Sequence, residues 1–451
     1  MNTPICDFLK KYSDNNSLRL HMPGHKGFGF LGVEQFDITE IDGADVLYNG
    51  NGIIAESEKN ASQIFGTKKT LYSTEGSSLS IRAMLYLTML YAKTKNEKPL
   101  ILAMRNAHKS FMNAIAMLDI DVKWIYPSQN ESLLSCIVTP KDLEQTIKTL
   151  KTKPTALYVT SPDYLGNIAD IGSFSKICKK YDILLIVDNA HGAYLAFNSP
   201  SNHPIHLGAD MTCDSAHKTL PVLTGGGYLH IAKSTPDVLA NNAETAMQIF
   251  ASTSPSYLIM ASLDNFNGNY EKYKQNIDSF ENRIFNLKKE LTEHGFNLIG
   301  DEILKITISS KHYGYKGTEL ADYLLKNNMN IEFCDEDYVV MMLSPLMDKS
   351  KLNEIKNILI TLPQRNKIIS KPPKTVIPKK STSIRESLMS LSLEVNVEDS
   401  IGEVLASANV ACPPAIPIIV AGEIIDEEVI KSFKYYGIEK CKIVMNKKIP
   451  F

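Results

Sequence analysis

The sequence predicts an α/β fold: a mainly parallel sheet flanked by helices, then a smaller α+β domain and a C-terminal segment. Three observations carry this. Between Leu100 and Ala232, short β-rich apolar runs alternate with helical patterns. The runs are apolar without strict in–out alternation, as strands covered on both faces must be. After residue 270 the pattern changes to one long amphipathic helix followed by weaker strand and helix signals.

Taken in order, a Gly-rich, turn-heavy arm (21–52) contains His21-Met-Pro-Gly-His-Lys-Gly27, which cannot be a regular helix. Strands are predicted at 100–103, 122–126, 156–160, 183–187 and 227–231. Helices are predicted at 77–90 and 173–181, each preceded by small polar residues or Gly able to cap a first turn. A long helix follows at 270–295, then a strand at 304–309 and a helix near 320–326. The Pro- and Lys-rich stretch 367–383 reads as a linker. The expected division is therefore an arm (1–52), a large domain (53–269), a small α+β domain (270–366), the linker, and a C-terminal domain (384–451).

With 451 residues, 44% of them hydrophobic, the chain can bury a large core and is too long for one compact unit. A net charge of −2 leaves no basic field to hold nucleic acid or an anionic membrane, so the expected partner is a small molecule. Seven scattered cysteines without C-x-x-C spacing suggest neither a disulfide framework nor a zinc knuckle, and fit a reducing cytoplasm. The first eleven residues lack a signal-peptide core, and the apolar stretch at 81–91 is interrupted by Arg82 and Thr88. A soluble protein is expected.

The most informative segment is Asp214-Ser-Ala-His-Lys-Thr-Leu-Pro221, with Gly225-Gly-Gly227 after it. An amine beside hydroxyl and imidazole donors is what a phosphorylated aldehyde cofactor needs: Lys218 for a Schiff base, Ser215 and His217 for the phosphate. Alone, Lys218 reads first as a solvated surface lysine, and it is the motifs in order that favour the cofactor. Upstream, the run 183–187 ends in Asp188-Asn-Ala-His-Gly192, and the carboxyl end of a buried parallel strand is where such sheets present functional groups. An Asp there can pair with a protonated pyridine nitrogen; it can also be an ordinary turn carboxylate. Gly76-Ser77-Ser78 opens an apolar helix, so free N–H groups and two hydroxyls can meet one anion, or simply cap the helix. His108, in Arg105-Asn-Ala-His-Lys109, follows a strand; it can stack on an aromatic ring or be an exposed loop histidine.

Together these motifs resemble the bacterial Orn/Lys/Arg decarboxylases, pyridoxal-phosphate (PLP) enzymes of the aspartate-aminotransferase fold (type I), in the short form without an N-terminal wing domain. The likeness runs from Arg19-Leu-His-Met-Pro-Gly-His-Lys-Gly27 through Thr39-Glu-Ile-Asp-Gly43, residues 105–110 and 188–192, to Ser215–Thr224, and more faintly to 413–423. By this resemblance 53–269 is the PLP-binding domain, Lys218 carries the cofactor, Asp188 partners its ring nitrogen and His108 stacks on its face. Ser77, Ser78, Ser215 and His217 hold the phosphate, with Gly76 permitting close approach. Ala190 packs under the ring and His191 lies near the reacting carbon, while Thr224 reaches a neighbouring subunit's site in a homodimer or dimer-based oligomer.

Departures from the family pattern are Asn189 for Glu, Tyr194 for His, Gly225 for Gln or Ser, and Cys412, Ala415 and Ala421 for Tyr, Gly and Pro. Glu423 remains as a contributor near the entrance. The implied reaction is metal-free decarboxylation of a basic L-amino acid, arginine favoured over lysine or ornithine, feeding polyamine synthesis. A PLP aminotransferase or lyase would use the same Lys and Asp, and a non-catalytic PLP-binding protein or a purely structural α/β protein are further alternatives.

Overall fold

The computed structural model describes residues 1–126, 136–374, 377–411 and 417–445. The chain forms two compact units: Met1–Pro99, Lys153–Ser161 and Ile171–Gln275 make the first, and Leu100–Thr152, Pro162–Asp170 and Asn276–Phe451 the second. Among the described residues, no helix is long and apolar enough to cross a membrane.

The strands, in chain order, are β1 (Lys69–Ser73), β2 (Leu100–Met104), β3 (Asp121–Ile125), β4 (Ala156–Thr160), β5 (Leu184–Asp188), β6 (Met211–Asp214) and β7 (Gly227–Ile231). In the first unit they lie in the order β1-β7-β6-β5-β4. The pairs β4–β5 and β5–β6 are parallel, with Thr160 opposite Asp188 and Asp188 opposite Cys213. Helices Gly76–Thr94 and Ile171–Tyr181 belong to the same unit. The predicted parallel α/β class is thus observed, and β2 and β3 form a further parallel pair in the second unit.

Two details differ from expectation. β7 runs antiparallel to both β1 and β6. A parallel return needs a full crossover, and the connection from Asp214 to Gly227 spends its length on the lysine corner with one four-residue helix, Ala216–Thr219. β1 and β6 are absent from the predicted strands because they bury polar side chains, Thr70 and Ser73 in one and Thr212 and Asp214 in the other, and so show no apolar run.

The long helix is Tyr257–Glu293, starting earlier than predicted. Its first half carries the buried polar residues Asp264 and Asn267, which break the apolar pattern. Asp264 accepts the backbone N–H groups of Ile5 and Cys6, both at 3.0 Å, and so caps the helix Pro4–Asp14, whose first N–H groups have no partner within the helix.

The second unit also holds an antiparallel sheet of β8 (Leu298–Ile299), β9 (Lys305–Ser309), β10 (Phe333–Cys334) and β11 (Tyr338–Met342), ordered β10-β11-β9-β8. Its C-terminal part pairs β12 (Ser392–Asn396) with β15 (Lys440–Val444), and β13 (Asn409–Ala411) with β14 (Pro417–Val420). Leu405, Ile419, Ile425, Val429 and Phe433 form the core there.

Candidate active site

The ends of β5 and β6 and the start of helix Gly76–Thr94 carry most of the predicted chemistry, all within the first unit. Asp188 ends β5, 2% exposed. Its Oδ2 accepts the Tyr158 hydroxyl at 2.9 Å, and its Oδ1 accepts the Ala190 N–H at 3.2 Å and the Cys213 thiol at 3.5 Å. Burial and then the Asp188 charge push both the Tyr158 hydroxyl and the Cys213 thiol well above their ordinary pKa, so both stay protonated and donate. Lys218, exposed at the end of the β6 corner, places Nζ 3.0 Å from His191 Nε2. Ala190 and His191 are buried.

The helix start faces the same corner. Ser77 donates its N–H to Ser215 Oγ at 3.2 Å, and the Ser215 hydroxyl donates to Ser77 Oγ at 2.9 Å. Gly76 has φ +63, and a Cβ there would stand 3.4 Å from His217 Cε1, in the space between helix start and corner. His217 Nδ1 lies 2.9 Å from the Gly226 carbonyl, and burial lowers its pKa below the usual imidazole value. Ser78 is half-buried beside Ser77. A helix N-terminus, two hydroxyls, an imidazole and a missing Cβ fit a phosphate group, and a buried acceptor carboxylate with a nearby amine fits the rest of a pyridoxal cofactor.

His108 belongs to the second unit, where it is exposed and caps helix Lys109–Leu118, Nδ1 accepting the Ser110 N–H at 3.2 Å. Thr224 is exposed in the turn before β7. Two sequence departures have local causes. Gly225 has φ +97, and a Cβ there would meet the Thr74 carbonyl oxygen at 2.8 Å, so a side chain is excluded. Asn189 donates from Nδ2 to Asp214 Oδ1 at 2.8 Å, where a Glu would set a second carboxylate against a buried one. Tyr194 and Ala421 are buried, while Cys412 and Ala415 lie outside the described residues.

Glu423, expected near the entrance, forms a salt bridge. It is 4% exposed and receives both Arg105 guanidinium nitrogens, at 2.8 and 2.6 Å, and the Val420 N–H at 2.9 Å. The Arg105 guanidinium also lies 5.2 Å from the centre of the Trp124 ring. Sequence reasoning missed this pair and Tyr158. Tyr158 had a usable signal: it lies two positions from Thr160, which pairs with Asp188, and so shares that residue's sheet face.

A sequence profile of the Orn/Lys/Arg decarboxylase major domain matches residues 3–306. The chain belongs to the Orn/Lys/Arg decarboxylase family. This decarboxylase is 30% identical over 481 residues to the uncharacterized protein YaaO of Bacillus subtilis, covering 100% of this chain and 97% of that one. It is 28% identical to an arginine decarboxylase of Halalkalibacterium halodurans, over 94% of this chain and 91% of the relative. The lysine decarboxylase LdcF of Francisella novicida shares its fold, with TM-score 0.82 at 17% identity, over 98% of this chain and 81% of that structure. The decarboxylase therefore has the PLP fold type I architecture that its motifs imply.

Proposed function

We propose that the protein uses PLP to decarboxylate a basic L-amino acid, arginine before lysine or ornithine, to the amine and carbon dioxide. The observation that carries this is the contact of Lys218 Nζ with His191 Nε2 at 3.0 Å, in the unit where Asp188 is held by three donors. Arginine is favoured because relatives named arginine decarboxylase match more than nine-tenths of the chain, at 28% and 26% identity.

PLP, when bound, supplies an electron sink for bond cleavage at the substrate α-carbon. The chain's own residues do the rest. Gly76, Ser77, Ser78, Ser215 and His217 bind the phosphate, and Lys218 holds the cofactor through its amine. Asp188, built as an acceptor, keeps a proton on the ring nitrogen. Ala190 would pack against the ring, and the stacking role of His108 is carried by the family resemblance alone. His191 or Lys218, whose Nε2 and Nζ lie 3.0 Å apart, would deliver the proton to the α-carbon.

A homodimer in the cytoplasm is part of this proposal, with Thr224 contributing to the partner's site. The arm supports it: Leu18, Leu20, Phe28, Phe30 and Leu31 are each more than 80% exposed, an apolar run that a second subunit would cover. The five-segment domain division, with the linker at 367–383, is proposed likewise. The deciding experiment supplies arginine, lysine and ornithine separately at matched concentration and measures carbon dioxide and product. Agmatine, cadaverine or putrescine is expected. A keto acid without carbon dioxide would replace the reading with transamination.

A further inference from the structure

Asp214, the last residue of β6, is fully buried beside two equally buried histidines. His203 Nε2 lies 3.0 Å and His230 Nε2 3.2 Å from the same oxygen, Oδ2, while Asn189 Nδ2 donates to Oδ1 at 2.8 Å. The surroundings are aromatic: the Phe65 ring centre is 5.7 Å from His203 and 4.5 Å from His230, and Tyr228 is 5.2 Å from His230. Burial opposes charge on Asp214, yet the facing imidazoles hold its carboxyl well below the usual range. Burial lowers the His230 pKa.

Among the described residues this is the group of His, Cys, Asp and Glu spaced to take a metal ion. Its outer contacts argue otherwise. An imidazole that ligates through Nε2 bares that nitrogen to the metal and donates outward from Nδ1–H. Here His203 Nδ1 accepts the Ile205 N–H at 3.4 Å, which puts the ring proton on Nε2, facing the carboxylate. His230 Nδ1 lies 2.9 Å from the Thr70 hydroxyl, which can donate to it in the same sense. The set is complete as a carboxylate receiving three N–H donors.

Its place in the chain gives it a task. Asn189 directly follows Asp188, and Asp214 directly precedes Ser215 and stands four residues before Lys218. The Asn189 N–H also bonds the Cys213 carbonyl at 2.9 Å. Side chain and backbone thus lock the two strand-end corners in register. We propose that Asp214, clamped by Asn189, His203 and His230, is a positioning residue that fixes the Asp188 corner against the Lys218 corner. The inference rests on the cofactor assignment above. A buried, fully hydrogen-bonded network suits this because each donor has one geometry to satisfy and none is free to relax into water.

The test compares Asp214→Asn, Asn189→Asp and the double variant. Asp214→Asn presents an amide to three donors, and Asn189→Asp sets two carboxylates in contact. The double variant restores one carboxylate and one amide. Three quantities are read: the thermal midpoint, the pH midpoint for acetylation of Lys218 in cofactor-stripped protein by mass spectrometry, and affinity for added PLP by absorbance. Each single variant should weaken PLP binding about tenfold or more and move the Lys218 midpoint, and the double variant should recover most of both. Wild-type labelling and affinity with only a lower thermal midpoint would reduce the network to packing and overturn the inference. Stoichiometric metal in the purified protein, lost in Asp214→Asn, would overturn it too. Should the single variants not fold, His203→Gln, which keeps an N–H donor, is expected to retain the Lys218 midpoint that His203→Leu shifts; equal midpoints would refute the role. Failure of the cofactor assignment shows separately, as wild-type protein without a borohydride-fixed adduct on Lys218.

Discussion

At the scale of single residues, the site turns on two side chains whose surroundings differ in kind. Lys218 is exposed on a corner, and Asp188 is buried under three donors. Lys218→Ala should lose the yellow absorbance that borohydride fixes, and an adduct on another lysine would refute the assignment. Asp188→Asn should fold and lose about a thousandfold or more in rate, since the ring-nitrogen proton loses its counter-charge; near-wild-type turnover would make this Asp structural. These residues were legible because their motifs are local and ordered along the chain. Tyr158, whose signal needs the β4–β5 register, and His203 and His230 were not. Each acts through a partner 30, 11 or 16 positions away, a distance closed by strand pairing for Tyr158 and His230 and by the turn before β6 for His203.

Elements carry a pH dependence of their own. Glu58, on helix Ile53–Ile64, is buried and accepts the Tyr72 N–H of β1 at 2.8 Å, and burial pushes its carboxyl up from 4.5 to about 8. The folded chain therefore holds a proton that the unfolded chain releases, and stability falls as pH rises between those values. Glu58→Gln keeps an acceptor and needs no proton, so calorimetry should find a shallower fall over that range; an unchanged slope would show Glu58 ionised in the fold. Arg105 and Glu423 make the second case, their side chains 1% and 5% exposed. Arg105→Ala should cost about 3–5 kcal/mol by stranding Glu423, whereas replacing both partners with apolar residues should cost less; equal losses in denaturant titrations would contradict this. Element positions read well where apolar runs were clean, as at Ala156–Thr160 and Gly227–Ile231. They read poorly where buried polar groups serve as caps or network members, as at Asp264 and in β6.

For the whole molecule, the testable claim is a shared site. Mixing Lys218→Ala subunits with subunits damaged at Thr224 should regenerate activity in heterodimers, and Phe28→Asp with Phe30→Asp should release monomers in sedimentation. A fully active monomer would refute both. The Arg105–Glu423 bridge also bears on how the chain is made. Its halves are 318 residues apart, so Arg105 leaves the ribosome long before its counter-ion exists. During synthesis the second unit must keep that guanidinium hydrated and its interior open. Closure of that interior waits for the last tenth of the chain, and a nascent polypeptide stalled before residue 423 should remain protease-sensitive around Arg105 while its first unit, whose residues are already complete by Gln275, is protected.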